Sequence, residues 1–264
     1  MRIGFVGAGK MGLALAKGVD QSRFQCSIAI SDPSVEARSL FLSQLNHVKV
    51  MPDNLSLCLA SDVVFLACKP QQLSSAMESL PPSEDGPLYI SILAGTPVEK
   101  LTRLLRSNRV IRAMPNTPCL IGKGALGVAI NHSVSAADQG LAERLLGGVG
   151  VVLEVEESML DAVTGVSGSG PAYVYKFMEA MIHSAVQAGL DAEVARRLVV
   201  ETVIGAGEMV KSTGEDPEVL RGHVSSPGGT TVAGLSIMDE LGFGHVIHSA
   251  VQAAIERSQE LAKA

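Results

Sequence analysis

Two glycine-containing segments of this 264-residue chain have the composition of anion-binding sites. One is Ser-Ser-Pro-Gly-Gly-Thr-Thr at residues 225–231, directly before an apolar run, Val232–Leu241, that is helical in pattern. Glycine leaves backbone N–H groups uncovered, and the first N–H groups of a helix point outward at the positive end of its dipole. The segment therefore predicts a site for a carboxylate or a phosphate. The alternative is a glycine-rich loop with a threonine that caps the helix.

The second segment is Gly7-Ala8-Gly9-Lys10-Met11-Gly12, which follows a strand-like run and opens a helical pattern. In that context Gly7 permits a tight turn and Gly9 lets a pyrophosphate approach the backbone. Gly12 lets the helix pack closely on the strand. The motif predicts dinucleotide binding, whereas the alternative is an ordinary tight turn between a strand and a helix.

The next strand-like run ends at Ser31-Asp32-Pro33-Ser34. Asp32 lies 20 residues beyond Gly12, where an acidic side chain binds the ribose hydroxyls of NAD. The same carboxylate repels the 2′-phosphate of NADP, yet Ser31 and Ser34 are possible hydrogen-bond donors to that phosphate. The residues thus leave the choice of cofactor open, and Asp32 is also a candidate cap of the following helix.

Two further segments end predicted strands, at the edge where such sheets bind ligands. Ala67-Cys68-Lys69-Pro70 places Lys69 where it can contact a phosphate or a ribose, or else face solvent. Met114-Pro115-Asn116-Thr117-Pro118 forms a rigid polar loop, with Asn116 near the expected position of a nicotinamide, or a plain turn.

The first 157 residues alternate short apolar runs with helical patterns, which predicts a doubly wound parallel sheet. The predicted strands are Ile3–Val6, Cys26–Ile30, Val63–Cys68, Leu88–Leu93 and Val110–Met114, with possible extensions at Ala125–Ile130 and Gly150–Val155. The predicted helices between them are Met11–Val19, Ser34–Leu45, Gln71–Leu80, Pro97–Leu105 and Ala136–Leu146. From residue 158 to 264 only helical stretches follow, so we expect a second, all-helical domain there.

The helix predicted over Pro171–Ala188 is apolar around most of its circumference. Its polar side chains form one narrow stripe, Lys176, Glu179, His183 and Gln187, at intervals of 3, 4 and 4 residues. Such a helix must be buried on most sides. We favour burial against a second subunit over burial within the helical domain, because other helices here also carry wide apolar faces.

Composition narrows the class of protein further. The net charge is −6, no Lys/Arg run is present and aromatic residues make up only 3%. These values argue against nucleic-acid and membrane partners. The four cysteines form no CxxC pair and no metal-site spacing, which suits reduced thiols in the cytoplasm. The strand-like run that begins at Arg2 leaves no room for a secretory signal, and we expect a soluble, cytoplasmic protein.

Taken together, these motifs resemble those of the pyrroline-5-carboxylate reductase family. The similarity extends from Arg2 to about residue 260 and is most specific over Leu220–Asp239. It also covers residues 112–118 and Val-Ser-Gly-Ser-Gly-Pro-Ala-Tyr at residues 166–173. The resemblance implies reduction of the C=N bond of Δ1-pyrroline-5-carboxylate to L-proline with NADPH or NADH. It also implies a Rossmann domain, a helical dimerisation domain and a homodimer, with a ring of dimers as a larger assembly.

The resemblance also implies roles for individual residues. The cofactor-binding positions are Val6, Gly7, Ala8, Gly9, Lys10, Met11, Gly12, Asp32, Ser34, Asn54, Ala67, Cys68, Lys69, Pro70 and Ala94. To these we add Asn116 from its place at a strand end. The loop for the substrate carboxylate comprises Ser226, Gly229, Thr230 and Thr231, and we expect Thr231 to act in catalysis. NADP is the family's usual cofactor, but Asp32 stands where many relatives carry a hydroxyl, so the preference stays open.

Two other functions fit parts of the sequence. A β-hydroxyacid dehydrogenase carries a lysine four places after the glycine that corresponds to Gly170, but Val174 stands there and Lys176 lies two residues too late. A non-catalytic dinucleotide sensor needs the Rossmann half but not the loop at residues 225–231. We therefore favour the reductase.

Overall fold

The computed structural model describes residues 1–21, 25–80 and 86–263. The chain forms two compact units, one of Met1–Ser169 with Ala253–Ala264 and one of Gly170–Gln252. Residues 158–169 and the end of the last helix thus pack with the first unit, whereas the sequence suggests a boundary after residue 157. The domain boundary after residue 157 remains a prediction.

The first unit is built on one sheet. Its eight described strands lie in the order β3-β2-β1-β4-β5-β6-β7-β8. The strands are β1 Arg2–Val6, β2 Ser27–Ser31, β3 Lys49–Val50, β4 Val63–Leu66, β5 Leu88–Ser91, β6 Val110–Met114, β7 Gly124–Ile130 and β8 Gly150–Glu154. All neighbours pair in parallel except β6 and β7, so the last two strands run opposite to the first six. The order reverses between β1 and β4, and the predicted Rossmann-type architecture is confirmed.

Helices cover both faces of this sheet. They are α1 Lys10–Gln21, α2 Val35–Gln44, α3 Asn54–Leu59, α4 Leu73–Met77, α5 Val98–Leu105, α6 Ala136–Gly147 and α7 Leu160–Val163. Successive side chains of a strand point to opposite faces. In β4, Val63 and Phe65 accordingly belong to one buried cluster, and Val64 and Leu66 belong to the other. A strand buried on both faces explains the uninterrupted apolar run seen in the sequence.

The second unit is entirely helical over its described residues. It contains α8 Gly170–Gln187, α9 Ala192–Thr213, α10 Pro217–His223, α11 Thr230–Glu240 and the first part of α12 Phe243–Lys263. Pro171 and Pro217 lie in the first turns of their helices, as their sequence positions suggest. None of the helices in the described residues combines the length and apolar character that a membrane span requires.

The structure differs from the predicted secondary structure in its short elements. The helix expected over Gln71–Leu80 is divided into a 3₁₀ turn, Pro70–Gln72, and the five-residue α4. Helix α3 and the two-residue edge strand β3 carry no periodicity long enough to be recognised. A π-helical turn at Thr164–Gly168 joins α7 to α8, and such turns do not differ from α-helix in sequence pattern.

Candidate functional site

The glycines of the first motif have three different environments in the structure. Gly7 has a φ of +99°, and a Cβ atom there would lie 2.7 Å from the backbone of Ala67. A Cβ on Gly12 would lie 2.9 Å from the carbonyl oxygen of Gly7, whereas nothing lies within 4 Å of one on Gly9. Gly7 and Gly12 thus pack against protein, and Gly9 faces open space. This is the arrangement in which a glycine turn admits a phosphate.

Asp32 fastens the end of β2 to this glycine turn. Its Oδ2 atom accepts the N–H of Ala8 at 2.7 Å, and its Oδ1 atom accepts the N–H of Ser34, also at 2.7 Å. The helix cap of α2 is Ser34, whose hydroxyl accepts the N–H of Ala37 at 3.0 Å. Asp32 is therefore not the cap of this helix. It presents a fixed carboxylate beside the glycines.

A cavity of about 560 Å³ opens beside the glycine turn, at the carboxyl edge of the sheet. Its lining includes Val6, Gly7, Asp32, Asn54 and Cys68 among the predicted cofactor residues. The volume lies within the range of sites for small molecules and cofactors. The cavity and the open face of Gly9 together fit the adenosine and pyrophosphate parts of a dinucleotide.

The wall opposite Asp32 is built from α3 and α4. The side-chain nitrogen of Asn54 donates to the carbonyl oxygen of Ala76 at 3.0 Å, which joins the two helices. The carboxylate of Asp53 caps α3 by accepting the N–H of Ser56 at 2.6 Å. Asn54 thus has a structural bond besides its place in the cavity lining.

The segment after β4 contributes backbone and an inert thiol. Burial raises the pKa of the Cys68 thiol to about 11, so this side chain stays protonated at neutral pH and is a poor nucleophile. Lys69 is exposed, and its backbone N–H donates to the side chain of Gln72 at 3.3 Å. Pro70 opens the 3₁₀ turn, so the chain turns sharply at the cavity.

The segment after β5 is held by side chains that the sequence analysis missed. One carboxylate oxygen of Glu157 accepts the N–H of Val98 at 2.7 Å and the guanidinium of Arg112 at 2.6 Å. Glu157 thus ties the N-terminus of α5, where the loop after β5 ends, to β6. Because the partners lie 45 and 59 residues from Glu157, no local pattern in the sequence signals them.

Asn116 has a structural bond in the structure. It is buried, and its side-chain oxygen accepts the N–H of Ala125 at 3.1 Å, which ties the loop after β6 to β7. Its part in cofactor binding stays a proposal.

The second anion-binding segment lies in the helical unit, between α10 and α11. Gly229 is the N-cap of α11 and carries no side chain to bond the first N–H groups of the helix. Gly228 has a φ of +71°, and the N–H of Gly229 donates to the carbonyl oxygen of Ser226 at 2.9 Å. Threonine is thus not the cap. The loop presents an uncapped helix N-terminus next to the hydroxyls of Ser226, Thr230 and Thr231.

Space at this loop is limited on one side. A Cβ on Gly229 would lie 2.6 Å from the hydroxyl oxygen of Ser226. A side chain at residue 229 would therefore displace the hydroxyl of Ser226 from the helix start. Thr231 is half-buried, whereas Thr230 is exposed in the single chain.

Lys176 distinguishes this site from that of a hydroxyacid dehydrogenase. Its ammonium pairs with Glu179 at 3.0 Å, and 81% of its side chain is exposed. Val174 occupies the position that such a dehydrogenase gives to lysine. The exposed ion pair supports the interpretation of Lys176 as a surface residue.

Two parts of the chain match known protein families. Residues 157–261 match the family described as pyrroline-5-carboxylate reductase dimerisation. Residues 2–95 match the family described as NADP oxidoreductase, coenzyme F420-dependent. The second match agrees with the glycine turn and its cavity.

Full-length relatives give the same result. The chain is 40% identical to a pyrroline-5-carboxylate reductase of Synechocystis, over 100% of this chain and 99% of that protein. It is 40% identical to the enzyme of the same name from Pseudomonas aeruginosa, over 99% and 97% of the two chains. The crystal structure of Plasmodium falciparum pyrroline carboxylate reductase with NADP bound is similar, with a TM-score of 0.88, 32% identity and coverage of 99% and 98%. The chain therefore belongs to the pyrroline-5-carboxylate reductase family.

Proposed function

We propose that this chain reduces the C=N bond of Δ1-pyrroline-5-carboxylate with NAD(P)H and releases L-proline, the last step of proline biosynthesis. The observation that carries the proposal is the uncapped N-terminus of α11 beside Ser226 and Thr231. In a chain related over its full length to reductases of this name, that loop suits the one anionic group of the substrate, its carboxylate.

The cofactor would lie along the carboxyl edge of the sheet. Residues 6–12 would hold the pyrophosphate, and Asp32, Ser34 and Asn54 the adenosine. Ala67–Pro70, Ala94 and Asn116 would contact the remainder. When bound, the nicotinamide supplies the hydride, and the protein sets its distance and face.

The substrate needs orientation more than a strong acid. A cyclic imine protonates readily, and the carbon of the resulting iminium ion is a good hydride acceptor. The backbone N–H groups of Thr230 and Thr231, with the hydroxyl of Ser226, would clamp the carboxylate and fix the ring. The hydroxyl of Thr231 would lie near the ring nitrogen and accept a hydrogen bond from its proton while the carbon accepts hydride.

The active form would be a cytoplasmic homodimer joined through the helical unit, with larger rings of dimers as an extension. None of the residues of α8 is buried in the single chain, and Val174, Phe177 and Met181 are 36–41% exposed. A second copy of the chain would cover this apolar face. The match of residues 157–261 to a dimerisation family supports the same assembly.

A direct assay tests the function. The purified protein is given the cyclic imine with NAD(P)H, or 3-hydroxy acids with NAD(P)⁺, and the nicotinamide absorbance is followed together with proline formation. We expect NAD(P)H oxidation with the imine and equal formation of proline. Turnover with hydroxy acids alone would assign the dehydrogenase function instead.

A further inference from the structure

The charges around the adenosine end of the cavity favour one of the two cofactors. We infer that this site selects NADH over NADPH, an inference that rests on the proposed function because it takes the cavity to be the cofactor site. The two cofactors differ only at the ribose 2′ position, which carries a hydroxyl in NADH and in NADPH a phosphate of charge about −2. The groups that decide between NADH and NADPH are therefore those at the end of β2.

Asp32 presents a negative charge that is fixed in position. Each of its carboxylate oxygens accepts one backbone N–H at 2.7 Å, from Ala8 and from Ser34. A carboxylate oxygen has a further lone pair, so both atoms still accept a bond from a ribose hydroxyl. The side chain cannot turn away from a phosphate without breaking one of these bonds.

Ser34 does not offset that charge, although the sequence makes its hydroxyl a candidate donor to a phosphate. The hydroxyl donates to the carboxylate of Glu36 at 2.8 Å and accepts the N–H of Ala37 at 3.0 Å. Its single proton is thus already used. Glu36, whose pKa is lowered chiefly by a backbone hydrogen bond and then by Ser34, adds a second negative charge at this rim.

Among the described residues that line the cavity, Arg38 is the one with a positive side chain, and it holds the loop itself. One guanidinium nitrogen donates to the carbonyl oxygens of Asp32 at 2.5 Å and Pro33 at 3.1 Å. The lining also contains Asp53, which is ionised to cap α3. Arg38 and the N-terminus of α2 attract an anion. Two carboxylates line the cavity, those of Asp32 and Asp53, and Glu36 adds a third negative charge next to Ser34, outside the lining. The carboxylate of Asp32, fixed by two hydrogen bonds at the end of β2, therefore favours a ribose hydroxyl over a phosphate.

Binding without substrate tests this directly. The dissociation constants of NADH and NADPH are measured by titration calorimetry, together with those of 5′-AMP and adenosine 2′,5′-bisphosphate. We expect NADH to bind at least about tenfold tighter than NADPH, and 5′-AMP at least about tenfold tighter than the bisphosphate. A tenfold ratio corresponds to about 1.4 kcal/mol. Tighter binding of NADPH and of the bisphosphate would overturn the inference while leaving the reductase function intact. Failure of both dinucleotides to bind would instead contradict the proposed function.

Matched variants locate the cause. Asp32→Asn removes the charge and should move the NADPH-to-NADH ratio of dissociation constants toward one. Glu36→Gln is an exposed change that leaves Asp32 and the fold in place, and it should move the ratio less but in the same direction. Arg38→Leu removes a cation and a support of the loop, so it should weaken both cofactors and NADPH the more. An unchanged ratio of dissociation constants in both acidic variants would contradict the assignment.

Discussion

The Oδ2 atom of Asp32 lies 2.7 Å from the backbone nitrogen of Ala8, so the end of the second strand is bonded to the glycine turn after the first. The two residues are 24 positions apart. One carboxylate thus fixes the shape of the turn and supplies charge to the cavity. Stability and cofactor choice are coupled at this contact.

The first prediction concerns the bonds of Asp32. Asp32→Ala leaves two N–H groups without their charged acceptor, and hydrogen bonds to charged groups contribute about 1.5–3 kcal/mol each, less where water replaces the acceptor. We expect a loss of about 1–3 kcal/mol in the free energy of unfolding, measured by urea denaturation. An unchanged midpoint would show that the two bonds do not hold the turn.

Gly7 and Gly9 make a matched pair for the second prediction. Gly7→Ala forces a side chain onto a φ of +99° and against the backbone of Ala67, so we expect about 1–3 kcal/mol of destabilisation. Gly9→Ala meets no protein atom within 4 Å. It should keep its stability but weaken NADH and NADPH binding. Equal stability of the two variants would contradict the packing role given to Gly7.

The third prediction concerns the substrate loop. Thr231→Ala should raise KM for the imine or lower kcat, with a loss of about 1.5–3 kcal/mol in kcat/KM, because it removes one hydrogen bond to a charged group. The dissociation constant of the cofactor should change little, and Thr231→Ser should recover most of the activity. Full activity in the alanine variant would remove Thr231 from the mechanism.

A fourth prediction follows from the raised pKa of Cys68. A thiol with a pKa of about 11 is ionised to only about one part in a thousand at pH 8. The thiolate, which is the reactive form, becomes populated only as the pH rises toward that value. Alkylation of Cys68, followed by mass spectrometry, should therefore be slow at neutral pH and accelerate steadily above it. Rapid modification at pH 7 would contradict the burial of this thiol.

The fifth prediction concerns the apolar face of α8. Phe177→Glu places a charge on that face and should shift the protein toward monomers in analytical ultracentrifugation. Lys176 is the neighbour of Phe177 in sequence but lies on the polar stripe, so Lys176→Gln should leave the assembly unchanged. A dimer that persists in Phe177→Glu would place the subunit contact elsewhere.

The sequence predicted those parts of the fold and site whose signals are local. The glycine turn, the buried strands and the long helices all follow from spacing and periodicity within one segment. The bonds from Glu157 to Arg112 and Val98 join residues 45 and 59 positions apart, and the bond from Asp32 to Ala8 joins two motifs that are read separately. Such contacts depend on tertiary folding. The reversed direction of β7 and β8 likewise depends on pairing, which periodicity does not encode.

The reaction is tested most directly by following the hydride itself. The protein is incubated with the cyclic imine and a nicotinamide cofactor deuterated at both C4 positions, and the product is analysed by mass spectrometry and NMR. The account predicts L-proline with one deuterium at C5, the carbon of the original C=N bond. Proline without deuterium, or oxidised cofactor without proline, would contradict it.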